Sequence, residues 1–461
     1  MPHPVMVPRL QLPHPLVLLV ACLGVAAVAS WVVPAGAYER REDPALERTV
    51  VVPGTFHPVE PAPLSPFQAV LALPKGLTDA ASVVFLVFLV GGAFAVVEQT
   101  GALSAAVGWL VARLANRETL VIPTASLAFA AGGAGLNMQE EIIAFVPVLL
   151  LLVRQLGFDP LTAAAMSFGA AAVGAAFSPI NPFQVLIAQQ LAELPPGSGS
   201  GFRSIVFAIA LSIWVAGTVR HARRSREAAL PHQTASAAIG SAAREPAAKA
   251  RRQGLVLMLV GVAFAVVVYG LVALHWGFDE LSAVFFVMGV AAGMAAGFGW
   301  SGTAEAFVSG FRAMAGAAVL IGFARAVYVA LDRGRILDTL VHGLFTPLEH
   351  LPLTVSALGM MAAHTVIHVP VPSVSGHAVL TIPILVPLSD LLHLSRQVTV
   401  LAYQYGAGLC EFLTPTNGAM MAILAAAGVR FDRWLRFALP LWALLFGLGA
   451  IAIIAGISIG I

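Results

Sequence analysis

Two short stretches, SPIN at 178–181 and TPTN at 414–417, each set an asparagine two residues after a proline in an apolar, uncharged run. Proline inside a helix removes a backbone donor and clashes with the preceding turn, at a cost of about 3 kcal/mol. Ser178, Asn181, Thr414, Thr416 and Asn417 gather neutral oxygens at these points. With carbonyls freed by a break, such oxygens suit a dehydrated monovalent cation, and amides at half-helix starts suit a carboxylate. Two further stretches carry chemistry upstream of the breaks. NMQEE at 137–141 supplies Asn137, Gln139, Glu140 and Glu141, and SVSGH at 373–377 supplies Ser373, Ser375, Gly376 and His377. An ionisable group within a bilayer is expensive and marks function by default. Glu140 and Glu141 are therefore read as binding a cation, a proton or the amine of a solute, against the plainer reading of a hydrated tip.

Other polar residues carry less. Glu411 is open between pairing and function, and Arg325 between facing an anionic solute and the plainer reading of pairing with a carboxylate. His364 and His368 lie one helical turn apart but lack an HExxH pattern or a third ligand cluster, so no zinc site is expected. No Walker loop or nucleophile elbow occurs, which leaves ATP-driven transport and hydrolase chemistry unsupported. No catalytic residue and no cofactor are assigned.

The elements that must position these residues are membrane helices. The chain has 461 residues, 59% hydrophobic and only 10% charged, against about 25% charged in soluble domains. Residues 255–274, 281–299 and 437–461 are apolar runs long enough to cross a hydrocarbon core, and 15–33, 160–177 and 204–219 are close to it. A net charge of +2 argues against nucleic acid, and Cys22 and Cys410 alone offer no disulfide framework.

Sliding the sequence by 236 positions overlays Pro147 on Pro383, Pro179 on Pro415, Asn181 on Asn417, and NMQEE on SVSGH. The basic stretch 220–253 is cytoplasmic by the positive-inside rule, and the mixed-charge loop 34–76 is placed outside. The expected fold is all-α and polytopic, with two inverted-topology repeats. The expected organisation is a first membrane helix and outer loop (1–79), repeat 1 (80–219), a basic cytoplasmic loop (220–253), connecting helices (254–313) and repeat 2 (314–461). Short apolar segments holding Pro147, and Pro383 with Pro387, read as proline-broken re-entrant hairpins, and SPIN and TPTN as unwound helix middles lining a solute site.

At these motifs the chain resembles the YfcC/DcuC-type family of four-carbon-dicarboxylate anaerobic carriers, over most of its length. The resemblance rests on PHPLVLL, VVPAGAYER, NMQEEIIAFVPVLL, LGFDPLTAAA, SPINPFQVLIAQ, VPSVSGHAVLTIPILVPLSDLLHLSRQ, AYQYGAGLCEFLTPTNG and FDRWLRF. It implies a homodimer with a scaffold and a moving transport region, with NMQEE and PSVSGHA as hairpin tips and SPINP and TPTNG as helix breaks. Two positions depart from the family: His377 stands where relatives often carry glutamine, and AYQYGAGLCEF lacks an acidic residue common between its glycines.

The resulting expectation is an ion-coupled secondary transporter of a small carboxylate or amino acid, of elevator type, in the bacterial cytoplasmic membrane. Its partners are a small solute and the lipid bilayer; sodium or a proton is the coupling ion, with no metal site beyond one for sodium. A basic amino-acid antiporter is the alternative, followed by a solute channel and a membrane-embedded enzyme. Accessibility labelling should find 220–253 on the cytoplasmic side and residues near 458 on the other. Labelling of both from one side would overturn the inverted count.

Overall fold

The computed structural model describes residues 14–43, 48–103, 105–106, 120–233, 247–274 and 276–461. Residues 1–13 of the expected first segment and 234–246 of the basic stretch lie outside the described residues. Eight of the described helices are long and apolar enough to cross a membrane, and strands among the described residues form two short antiparallel pairs. The chain is thus a multi-pass helical membrane protein.

Helix α1 (Pro15–Val32) leads to the two strand pairs, Gly36–Ala37 with His57–Pro58 and Arg40–Asp43 with Arg48–Val51. The loop they form ends earlier than the sequence pattern implies. Ser65 caps a helix α2 (Pro66–Asp79) through a reciprocal box with Gln68, so 66–76 is helical instead of loop. Helix α3 (Ala81–Gln99) follows after a kink at Ala80, and α4 (Val121–Leu136) resumes the described chain. A 3₁₀ turn, Glu140–Phe145, then enters α5 (Val146–Gln155).

The next span, Pro160–Leu191, is buried along its first half and emerges at Ile180 and Phe183. It consists of α6 (Pro160–Ala164), a π turn, α7 (Ala170–Phe177), the SPIN break, a second π turn at Pro182–Leu186, and α8 (Ile187–Leu191). Then come α9 (Ser200–Gln233), α10 (Ala247–Ala273), α11 (Phe278–Ala296) and α12 (Gly299–Arg333). The chain continues with α13 (Leu337–Phe345), α14 (Leu353–His368), α15 (Val374–Leu391), α16 (Arg396–Cys410), α17 (Gly418–Ala426) and α18 (Phe431–Ile459).

Two features differ from the sequence pattern. Helix α12 runs unbroken through residue 314, where a boundary between connecting helices and a second repeat was expected, and packs along both α2 and α3. At 1.5 Å per residue its 35 residues span about 50 Å. Secondly, Pro383 and Pro387 do not break α15; both lie inside it. Ala378 and Ile382 are buried with Ala188, Val400, Tyr403 and Ala407, and neighbouring helices at membrane depth allow a span to carry such prolines.

Helices α4 and α7 touch backbone to backbone. A Cβ on Gly133 would stand 2.0 Å from the Ala171 carbonyl oxygen, and one on Gly174 would stand 2.2 Å from that of Ala130. Helices α14 and α16 meet in the same way at Gly406, where a Cβ would lie 2.3 Å from the Met361 carbonyl oxygen.

The two broken spans run antiparallel and are tied at both ends. Asp159, just before α6, accepts from Arg433 beyond α17 at 2.7 Å and pairs with His221 at 3.1 Å. Glu193, just after α8, pairs at 2.8 Å with Arg396 at the start of α16, which also holds Asp390 at 2.6 Å. Burial alone would raise the Asp159 carboxyl, but hydrogen bonds from His221 and Thr162 outweigh it and hold the group below the ordinary carboxylate range. Its stabilising contribution is therefore complete above its ordinary value of about 3.9 and is lost as pH falls through the depressed native value. Because Asp159 also caps Thr162, Asp159→Ala is expected to cost about 1–3 kcal/mol at neutral pH. Arg433→Ala, which removes only a half-exposed partner, should cost less than about 1 kcal/mol. Thermal unfolding in detergent checks the order, and equal losses would reduce Asp159 to one surface ion pair.

Candidate functional site

Helix α4 stops because Asn137 takes a left-handed conformation, φ 54°, and its amide returns to Gly133 and Gly132. The tip that follows reaches both helix breaks. Asn181 donates through Nδ2 to the Gly133 carbonyl at 2.8 Å and to Asn137 Oδ1 at 3.2 Å. Asn417 donates through Nδ2 to Gln139 Oε1 at 3.3 Å and to the Glu411 carboxylate. One tip thus bridges SPIN and TPTN.

At the first break the side chains are consumed in holding backbone. Asn181 Oδ1 accepts from the amides of Phe183 and Gln184 at 2.9 and 2.8 Å, capping the second half of the span. With both Nδ2 protons also used, the amide has no bonding capacity left for a solute. Ser178 Oγ donates to the Ala134 carbonyl at 2.8 Å and accepts from Ile180 N at 3.0 Å. The Ser178 carbonyl, freed by the break, accepts from Gln404 Nε2 at 2.7 Å. Gln404 is set in turn by Arg203 Nε at 3.1 Å, a guanidinium 1% exposed that also donates to Gln397 at 3.0 Å and the Ser198 carbonyl at 2.8 Å.

At the second break the Thr414 and Thr416 hydroxyls meet at 2.6 Å, and Thr416 Oγ1 donates to the Val369 carbonyl. Asn417 Oδ1 caps α17 by accepting from Met420 N at 2.9 Å, and Ser373 caps α15 by accepting from Gly376 N at 3.3 Å.

These elements border a cavity of about 830 Å³, within the range of small-molecule sites. Of the residues singled out from the sequence, Asn137, Gln139, Glu140, Glu141, Ser373, Ser375, Thr416 and Asn417 line it. Ser178, Asn181, Gly376, His377 and Thr414 do not. Among the described residues no group of three or more His, Cys, Asp or Glu side chains is arranged to hold a metal ion. The neutral oxygens expected to suit a cation are largely spent on caps.

Two further members of this wall, Glu411 and Arg325, were noted in the sequence but not assigned to the solute site. Glu411 is 3% exposed. Arg325 stacks 4.5 Å over the Tyr328 ring, and its buried Nε has no partner among the described residues, so the expected carboxylate partner is not what holds it. The cavity wall also holds Asp79, which pairs with Lys75 at 3.1 Å. Three glutamates, one free-ended guanidinium and the helix starts at Ser373 and Asn417 therefore face one space. The signal for Arg325 was a lone charge inside AVLIGFARAVYVAL.

Broken spans meeting at a charged cavity define a solute-carrying membrane protein. The chain belongs to the C4-dicarboxylate anaerobic carrier family (DcuC), which matches residues 12–458, and it is accordingly a membrane transporter. It is 30% identical, over 98% of its length and 97% of the relative's, to the Escherichia coli (strain K12) protein named "Putative basic amino acid antiporter YfcC". It is 28% identical, over 90% of its length and 83% of the relative's, to an uncharacterized protein of Haemophilus influenzae. Among solved structures it is similar to the YdaH transporter of Alcanivorax borkumensis, with a TM-score of 0.44 and 18% identity over 97% of this chain and 99% of that one. It is also similar to Neisseria gonorrhoeae MtrF, of a class of antimetabolite efflux pumps, with a TM-score of 0.40 and 17% identity over 96% and 95% of the two chains.

The saturated amide of Asn181 gives a direct test. Asn181→Leu strands the Phe183 and Gln184 amides and removes a donor to Gly133 and Asn137, and should cost about 2–5 kcal/mol. Asn181→Asp keeps the cap and should cost less. Detergent melting curves should rank wild type above Asp and Asp above Leu; a Leu variant melting with the wild type would refute the clamp.

Proposed function

We propose that the protein is an ion-coupled secondary transporter whose solute is a cationic amino acid. The observation that carries this reading is the charge of the cavity, with Glu140, Glu141 and Glu411 set against Arg325. A dicarboxylate would bring two negative charges to a wall already rich in carboxylates. Each such contact at 4 Å is unfavourable by about 4 kcal/mol at an effective dielectric of 20. A basic amino acid is complementary: its cationic groups meet the glutamates, and its carboxylate meets Arg325 and the helix starts at Ser373 and Asn417. The printed name of the Escherichia coli relative supports the same substrate class.

The antiparallel pairing of the broken spans supports the inverted-repeat reading and, with it, alternating access by a moving transport region of elevator type. Arg220, Arg223, Arg224 and Arg226 on α9, with Arg430, Arg433 and Arg436 at the start of α18, cluster at the Asp159 end. That basic end supports a cytoplasmic placement in a bacterial inner membrane. A homodimer belongs to the same reading.

The test is thermal stabilisation of purified protein by arginine, lysine, succinate and fumarate. A ligand at 100 times its Kd raises stability by about 2.7 kcal/mol. Arginine or lysine should stabilise, and Glu140→Gln and Glu141→Gln should each weaken that binding, one of them at least tenfold. Stabilisation by succinate alone, unchanged in both variants, would return the solute to the dicarboxylates. Saturable counterflow in proteoliposomes separates a carrier from a channel, and chemical conversion of the solute would indicate an enzyme.

A further inference from the structure

Behind the cavity wall lies a row of three histidines that solute binding does not use, ending on Glu411 of the wall. Glu411 Oε1 meets His368 Nε2 at 2.5 Å, His368 Nδ1 meets His377 Nδ1 at 3.2 Å, and His377 Nε2 meets His364 Nδ1 at 2.8 Å. All three imidazoles are 0% exposed. The row draws on three elements: α14 supplies His364 and His368, α15 supplies His377, and the second break supplies Glu411. Its far end, His364 Nε2, is the one ring nitrogen of the three without a partner among the described residues.

We propose that His364, His377 and His368 form a proton relay that sets the charge of Glu411 in the wall of the solute cavity. The inference rests on the transporter reading above and adds the proton as the coupling ion.

Each neutral imidazole has one N–H and one acceptor nitrogen. With Glu411 ionised, His368 must donate through Nε2 to the carboxylate, so its Nδ1 accepts. His377 then donates through Nδ1 and accepts at Nε2, and His364 donates through Nδ1. Every contact is made with three neutral rings, and His364 Nε2 is left as a bare lone pair. A proton added at that nitrogen reverses the whole row. His364 releases its Nδ1 proton to His377 Nε2, His377 releases its Nδ1 proton to His368 Nδ1, and His368 releases its Nε2 proton to Glu411 Oε1. One proton enters, one arrives, all three rings remain neutral, and every hydrogen bond survives with its direction inverted. The cavity wall then loses one negative charge, which weakens its hold on a cationic solute. A metal cluster is the competing use of three histidines, but here ring nitrogens face one another in pairs and do not converge on a point.

The groups around the row leave this logic intact. The Tyr403 ring stands 5.4 Å from that of His364 and 5.6 Å from that of His377, while its hydroxyl donates to the Val374 carbonyl at 2.8 Å. Phe345 of α13 covers His364 at 5.2 Å, and Thr381 donates to the His377 carbonyl at 2.8 Å. On the side of Glu411 are Cys410, Asn417 and, across the cavity, Glu140, Glu141 and Arg325.

Two experiments test the relay. In ¹⁵N-histidine-labelled full-length protein, a pH titration should move His364 and His377 from Nδ1–H to Nε2–H and His368 from Nε2–H to Nδ1–H, all with one shared midpoint. Independent midpoints, or fixed tautomers, overturn the relay whether or not the protein carries basic amino acids. In proteoliposomes, His364→Gln should keep labelled-arginine exchange within about twofold, which also shows that it folds, and lose at least tenfold in accumulation driven by a pH gradient. Wild-type drive in this variant overturns the relay. Absence of arginine exchange in the wild type overturns the proposed solute instead, and the tautomer titration then decides the relay.

Discussion

A peptide group without a partner at membrane depth costs several kcal/mol, and this protein exposes such groups in the middle of two spans. Asn181 and Asn417 therefore act first as substitutes for the missing turns of their own helices. Gln404 closes the account at the Ser178 carbonyl, and Arg203 fixes Gln404 from behind. Once these bonds are made, the tip at 137–141 has only one place to sit, because Asn137 and Gln139 each accept from a different break. The cavity is the volume that this arrangement leaves open.

Its electrostatics follow from the same geometry. Helix starts at Ser373 and Asn417 bring partial positive charge to the space, while Glu140, Glu141 and Glu411 bring carboxyl groups to it. Arg203 is buried nearby, yet it is bound by neutral oxygens of Gln404, Gln397 and Ser198 and takes no carboxylate from the wall. The glutamates thus stay available to a solute or a proton, with Glu411 engaged by His368 at a bond whose direction can change.

Much of the scaffold was legible in the sequence, because proline, asparagine and glutamate are conspicuous in apolar runs. SPIN, TPTN and NMQEE were singled out on that ground, and the structure places two breaks and a tip there. The roles of individual side chains were less legible. Asn181 looked like a ligand because sequence cannot show that all its bonding positions are filled. His364 and His368 looked unremarkable because their partners, His377 and Glu411, lie on other elements. Pro383 and Pro387 looked like breakers because local propensity omits the packed face that carries α15 through them. The start of α2 was missed because the loop reading of 34–76 passed over Ser65 and Gln68, whose spacing is that of a capping box.

The glycine contacts between α4 and α7, and between α14 and α16, have a mechanical consequence. Where carbonyl oxygens press directly on Cα atoms, as at Gly133, Gly174 and Gly406, no side chain lies between the helices to change rotamer and absorb a displacement. Such a joint is stiff in compression. Each tip-bearing helix is keyed to the broken span beside it, so a shift of a tip is passed to its neighbouring break as a rigid translation. Compliance in the molecule must then reside elsewhere, at surfaces cushioned by long side chains.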